Sequence, residues 1–391
     1  MPTNTEPKNP SPEISLVRGG PFYRLQEATR LIGPKNWNLG RRITLAIIIG
    51  WLVPVLIALS SNPAGAVELI KSYPIASRML IAVPVLLVGL TLIESRFREI
   101  VRHLYNADFL DAEDLPRMNE ILATLVRLRD SAAPELLILL IVAARTVSVY
   151  KVQMIDEPAL VYGTAGEFHL TAAGWYGVLV SGTLFQFLLL LNLWKWLLWI
   201  YFAFKLSRLD LKLVPTHPDG NGGLGFLGVS PIAFAPTAFA LATVVGAVWR
   251  HQIIHDGALL MTFKLPAIAL VVIIALIALG PLVLFVPKLG ALRRRGILEY
   301  SIVGQIQSTE FHHKWIVGPT SNKEELTESP EVVSLLNYGL EYDRIKALNP
   351  FPTDRGALIG LALAVVLPAL PTILAVIPLA VVLKDLLRAL R

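Results

Sequence analysis

Apolar residues fall along this chain in long runs separated by short polar links, not in the narrow stripes of a water-soluble bundle. Six runs reach or approach the roughly twenty residues a helix needs to cross a bilayer core: Ile43–Ser60, Met79–Ile93, Leu136–Ile155, Ala173–Leu193, Pro231–Val248 and Leu265–Val286. Lipid offers no partner to backbone N–H and C=O groups, so each run must pair its own as a helix. The pattern predicts an all-α polytopic membrane bundle of six spans with small cytoplasmic helical segments.

A seventh run, Gly356–Leu383, contains Pro368 and Pro371. Each proline removes a donor and crowds the preceding turn, so the run is expected to divide into two arms of about twelve residues, each roughly half a bilayer long. That predicts a re-entrant hairpin, with a kinked seventh span as the alternative. Prolines 54, 84, 236 and 281 are expected to kink the other spans.

Orientation follows from the basic residues, which gather in cytoplasmic loops. Arg41 and Arg42 precede the first span, Arg96, Arg98, Arg102, Arg117, Arg127 and Arg129 fill the second loop, Lys205, Arg208 and Lys212 the fourth, and Arg293, Arg294 and Arg295 the sixth. The opposite loops hold few. The N-terminus is therefore expected in the cytoplasm. A hairpin would also return Lys384, Arg388 and Arg391 to that side.

The expected order is a cytoplasmic, partly disordered arm (1–42), two spans (43–94), cytoplasmic amphipathic helices (95–134), spans three to six (135–286), a cytoplasmic helical segment (287–355), and the hairpin and tail (356–391). Residues 1–20, polar and proline-bearing, are read as disordered. Met118, Ile121, Leu122, Leu125 and Leu128 share one helical face, and Ser329-Pro330-Glu331 signals a helix start before Val332, Leu335, Leu336 and Leu340. These two regions are expected to build a small cytoplasmic layer. The aromatic run Trp194–Phe204 suits the headgroup level, with Lys195 snorkelling to the inner interface. No cleavage pattern accompanies the first span, which is expected to be retained.

Composition agrees with lipid as solvent: 54% of residues are hydrophobic and 16% charged. The net charge of +6 does not gather on one face, so it reads as topological and no nucleic-acid partner is expected. The chain has no cysteine, which removes thiolate metal sites, iron–sulfur ligation and cysteine nucleophiles. No cofactor is implied, since no two spans carry deep histidines for haem.

Arg145 lies midway along the third run, where an ionised side chain costs roughly 2.5–3.5 kcal/mol on insertion scales. It is the candidate pathway or anion-binding residue, with a structural arginine bonded to carbonyls as the alternative. The loop His217-Pro-Asp219-Gly220-Asn221-Gly222-Gly223 is a second candidate, because glycine-rich backbone presents N–H groups to an anion. It lacks the Lys-Ser/Thr of a phosphate loop, and a tight packed turn explains it as well. His251 and His255, four apart with Asp256 adjacent, are candidates for a divalent metal. Ala238, Ala242 and Gly246 form a close-packing stripe.

The loop from His217 to Gly228 and the ending from Glu331 through Asn349-Pro-Phe-Pro352 to Leu367-Pro-Ala-Leu-Pro371 and Ile377-Pro378-Leu379 resemble a group of uncharacterised bacterial multi-pass inner-membrane proteins. The resemblance covers about a fifth of the chain. It implies a bacterial inner-membrane origin and brings no activity or site residues. The expected function is a channel or transporter for a small anion. The alternative is a non-catalytic scaffold or signalling component that binds a protein on its cytoplasmic face. An enzyme ranks behind both, because no nucleophile or acid–base cluster stands out. The lipid bilayer is the expected partner, and a homo-oligomer is compatible with the small-residue stripe.

Overall fold

The computed structural model describes residues 14–33, 37–152, 161–164, 167–317 and 330–375 of the 391. Helices dominate it: α1 Pro21–Ala28, α2 Leu39–Ser61, α3 Pro63–Lys71, α4 Tyr73–Asn106, α5 Asp114–Asp130, α6 Ala133–Val152, α7 Ala172–Leu206, α8 Gly225–His255, α9 Leu260–Val283, α10 Val286–Phe311, α11 Pro330–Ala347 and α12 Arg355–Leu374. One hairpin, β1 Val161–Thr164 against β2 Glu167–Leu170, joins α6 to α7. Six helices (α2, α4, α7, α8, α9 and α12) are long and apolar enough to cross a membrane. The chain is an all-α multi-pass membrane bundle.

Five expected spans coincide with five of these helices. The third forms as α6, although residues 153–155 at its C-terminal end lie outside the described residues. The sixth membrane-length helix is α12, and here the expected division fails. Pro368 and Pro371 sit inside one continuous helix of 20 residues, long enough to cross a core of ~30 Å. Helix α8 packs closely alongside: a Cβ on Gly246 would come within 3.3 Å of the Pro368 carbonyl oxygen, and Thr372 Oγ1 donates to the Gly246 carbonyl at 2.8 Å. Membrane helices tolerate internal proline more readily than soluble ones. The small-residue stripe thus finds its mate in α12. The second arm of the expected hairpin and the basic tail lie outside the described residues.

Prolines 54 and 84 act through widened turns. Ile48–Leu52 and Ser77–Ala82 each open into a π-type turn just before the proline, which relieves the clash between its ring and the carbonyl four residues back.

One end of the bundle gathers most of the links. Leu110 bridges to Leu211, Lys212 pairs with Asp108 and Asp111, and Asn221 Nδ2 donates to the Asn349 carbonyl at 2.8 Å. Residues 14–33 lie at this same end. Helix α5 packs its predicted face onto the C-terminal half of α7, with Met118, Leu122 and Leu125 buried alongside Trp199 and Phe202. Trp196 and Trp199 are therefore core residues, not an interfacial belt, and Trp196 Nε1 donates to the Ile277 carbonyl at 2.9 Å. The expected cytoplasmic layer does not form, because α11 pairs with α10 while α5 joins the bundle.

Candidate functional site

The arm from Ile14 to Ala28 is seated on buried carboxylates. Glu94, 3% exposed on α4, accepts from Ser15 Oγ at 2.7 Å and from the backbone N–H groups of Leu16 and Val17, each at 3.0 Å. Its other oxygen pairs with Arg98 at 2.5 Å. Leu16 and Val17 bury their side chains in the main core, which explains why this stretch is ordered where disorder was expected; residues 1–13 lie outside the described residues.

The chain then passes over two more acids. Arg129 donates to the Ser15 carbonyl at 2.8 Å and grips Asp130 with two bonds of 2.9 and 2.8 Å. That bidentate contact holds the Asp130 carboxyl below its ordinary range. Glu135, at the start of α6, accepts the Phe22 N–H at 2.7 Å and so caps α1 from another helix. Gly20 allows the approach: its φ is 86°, and a Cβ there would fall 2.7 Å from Glu135 Oε1.

Beneath the arm, two cations meet a small cavity. Lys195 is 2% exposed, and its Nζ has no hydrogen-bond partner among the described residues. Arg42 donates through Nε to Gln26 Oε1 at 2.7 Å and stacks over Trp37, while its Nη1 is likewise unpartnered. Both line a cavity of ≈10 Å³ with Gln26, Phe22 and Glu135, room for about one water. One turn above Lys195, Asn192 is fully buried, its amide donating to the carbonyls of Leu86 and Leu188. Lys195 therefore does not snorkel. Long charged side chains buried inside a helical bundle cost several kcal/mol unless compensated, and in membrane proteins they are candidates for function.

The sequence-derived candidates fare differently. Arg145 sits on α6 with its side chain exposed, and no acidic side chain among the described residues pairs with it. It lies outside the buried cluster, so Lys195 and Arg42 supply the buried positive charge expected of it. The pattern hides them because Arg42 reads as a basic flank of the first span and Lys195 falls within an aromatic run suited to the headgroup level. Asn192 and Lys195, three apart on one helical face, were the available signal.

The glycine loop is built around its own carboxylate. Asp219 accepts from the N–H groups of Asn221 at 2.9 Å, Gly223 at 3.0 Å and Gly225 at 2.7 Å, and His217 Nδ1 lies 2.9 Å from it. Gly220, Gly222 and Gly223 take positive φ values of 67°, 63° and 100°, and a Cβ on Gly222 would strike Leu292 at 2.6 Å. The amides that would cradle an external anion are turned on an internal one, and the loop serves as a latch to Asn349. Burial works to raise the Asp219 pKa, and the three amides with His217 outweigh it, so the carboxyl titrates below its ordinary value. A folded pKa below the unfolded one gives stability that is present above about pH 4 and lost as pH falls below it. Asp219→Ala is expected to cost about 2 kcal/mol at neutral pH and to flatten that acid-side decline, as read by thermal unfolding in detergent between pH 3 and 7.

His251 and His255 approach each other, ring centroids 4.5 Å apart, and Asp256 follows at the helix end. Among the described residues they are not drawn into a cluster of three or more groups able to hold a metal ion. No protein-family model, curated protein or solved structure matches this chain.

Proposed function

We propose that this multi-pass protein moves a small anion across a bacterial inner membrane, with its N-terminus on the cytoplasmic side, and that the N-terminal arm closes the cytoplasmic end of the path. The observation that carries this reading is the pair of buried, incompletely satisfied cations, Lys195 Nζ and Arg42 Nη1, lining one cavity inside a lipid-facing bundle. A fixed positive charge at low dielectric attracts an anion far more strongly than one in water. It also replaces part of the hydration the anion sheds on entering.

Gating is assigned to the arm because its polar contacts end on groups that would otherwise stay buried and unpaired. Leu16, Val17 and Phe22 fill the end of the bundle, and three donors from Ser15, Leu16 and Val17 compensate Glu94. Withdrawal of the arm opens the cavity at Lys195 to water. The basic residues gathered at this end orient it toward the cytoplasm.

The test is radiolabelled or fluorescent anion flux into liposomes holding the purified full chain, across chloride, nitrate and bicarbonate, with potassium as the cation control. Anion flux above empty liposomes, reduced by Arg42→Gln, supports the proposal. Equal flux of potassium and chloride, or none from folded protein, refutes it.

A further inference from the structure

A second cavity of ≈10 Å³ lies nearer the arm-bearing end, bounded by Leu16 of the arm, Phe97 of α4 and Trp196 of α7. Neighbouring arm residues thus line two spaces, Val17 the Lys195 cavity and Leu16 this one. Along α7 the step from Lys195 to Trp199 is one turn, about 6 Å. Three residues lining the second cavity each bury a polar atom with no partner among the described residues: Arg96 Nε, Trp199 Nε1 and Ser230 Oγ. The rest of the wall is apolar except for Trp196 Nε1, which is committed to the Ile277 carbonyl.

Each of the three comes from a different helix. Trp199, 3% exposed on α7, has its ring held edge-on to Phe97 with centroids 6.4 Å apart. Ser230, 2% exposed, sits in the tight 3-10 turns that open α8. Arg96 on α4 stands at the boundary. Its Nη1 pairs with the exposed Glu99 at 2.7 Å, while its Nε is buried.

All three atoms can donate a hydrogen bond, and one belongs to a cation. A buried donor left unpaired is costly, so three around one space call for a shared acceptor. No carboxylate lines the cavity to supply it. A water would accept two of the bonds and still have to donate its own two, for which the lining side chains offer Ser230 Oγ alone. A monatomic anion accepts all three and has no hydrogen to place.

We propose that Arg96, Trp199 and Ser230 form a second binding site for a small anion of the halide class, one turn nearer the arm-bearing end than Lys195. This inference deepens the transport reading and rests on it for the purpose of the site. Two donor sets in series let an ion pass along the bundle without standing in bare apolar core. Chloride is somewhat wider than water, and the wall that yields to it is Leu16, carried on the arm and not on a helix of the bundle.

The test reads binding and needs no flux. The full chain is purified in detergent with gluconate as the anion, and chloride is added while the broadening of its NMR line is followed. The expected result is saturable broadening with two components. Trp199→Phe keeps the ring that packs on Phe97 and removes its N–H, and Ser230→Ala removes the hydroxyl. Each should weaken one component about tenfold, the loss of one hydrogen bond to a charged partner. Lys195→Gln should remove the other component. If folded Trp199→Phe and Ser230→Ala both bind chloride as the unmodified chain does, a water fills the cavity and the second site is overturned, whatever Lys195→Gln shows. If they lose affinity and Lys195→Gln does not, the second site stands and the role given to Lys195 fails. No saturable broadening from the folded full chain overturns both.

Discussion

Glu94→Gln is expected to release the N-terminal arm while leaving the bundle in place. The carboxylate accepts one hydroxyl and two backbone N–H groups of residues 15–17 and pairs with Arg98. An amide keeps one acceptor oxygen but presents donors where the second oxygen met Arg98, and it carries no charge. Glu94 is buried but Arg98 is 39% exposed, so solvent screens part of the pair, and the loss of the charge-assisted bonds to residues 15–17 is expected to cost about 2–3 kcal/mol, falling on the contact between arm and bundle more than on the helices themselves. Hydrogen exchange at Leu16 and Val17 should then rise by about a hundredfold, since ~1.4 kcal/mol of lost protection corresponds to a factor of ten. Exchange along α4 below Glu94 should stay unchanged. Anion flux should rise several-fold, because the arm no longer closes the path. Unchanged exchange in the arm would show that Leu16, Val17 and Phe22 hold it by packing alone.

The second large effect is expected at Lys195. Lys195→Gln removes the charge and keeps most of the volume, leaving the cavity walls of Phe22, Gln26 and Glu135 in place. Lys195 has no hydrogen-bond partner among the described residues, but it lies in the field of the buried carboxylates Glu135 and Glu94 and of Asp130, which lose that compensation when its charge is removed. Thermal stability is therefore expected to fall by about 1 kcal/mol, while anion flux falls at least tenfold. Arg at this position should retain part of the flux, since it restores the charge with a different shape. A stability loss as large as that of Glu94→Gln would instead make Lys195 a structural partner of Glu135.

The spans were legible because lipid imposes one rule on every backbone group, and long apolar runs follow from it. What pattern alone misjudged were the places where one helix depends on another. Proline in a lone helix tends to end it, whereas the helix bearing Pro368 and Pro371 runs on unbroken while packed against α8 through Gly246 and Thr372. Residues 14–20 have too few apolar positions to predict order, yet Ser15, Leu16 and Val17 gain theirs from a carboxylate some eighty positions away. Trp196 and Trp199 match an interfacial belt by type, and packing against other helices, at Phe97, Phe234 and Ile277, makes them core. Arg145 drew attention by depth along its own helix, but depth along a helix does not specify which side faces the bundle. The glycine loop offered two readings, an anion cradle and a tight packed turn, and its amides are turned on its own Asp219.

Chloride flux measured side by side for the full chain, Glu94→Gln and Lys195→Gln in liposomes at matched protein content tests the central claim most directly. The account predicts Glu94→Gln fastest, the unmodified chain intermediate, and Lys195→Gln near the level of empty liposomes. Three folded proteins that all match empty liposomes, or a Lys195→Gln variant as fast as the unmodified chain, would contradict it.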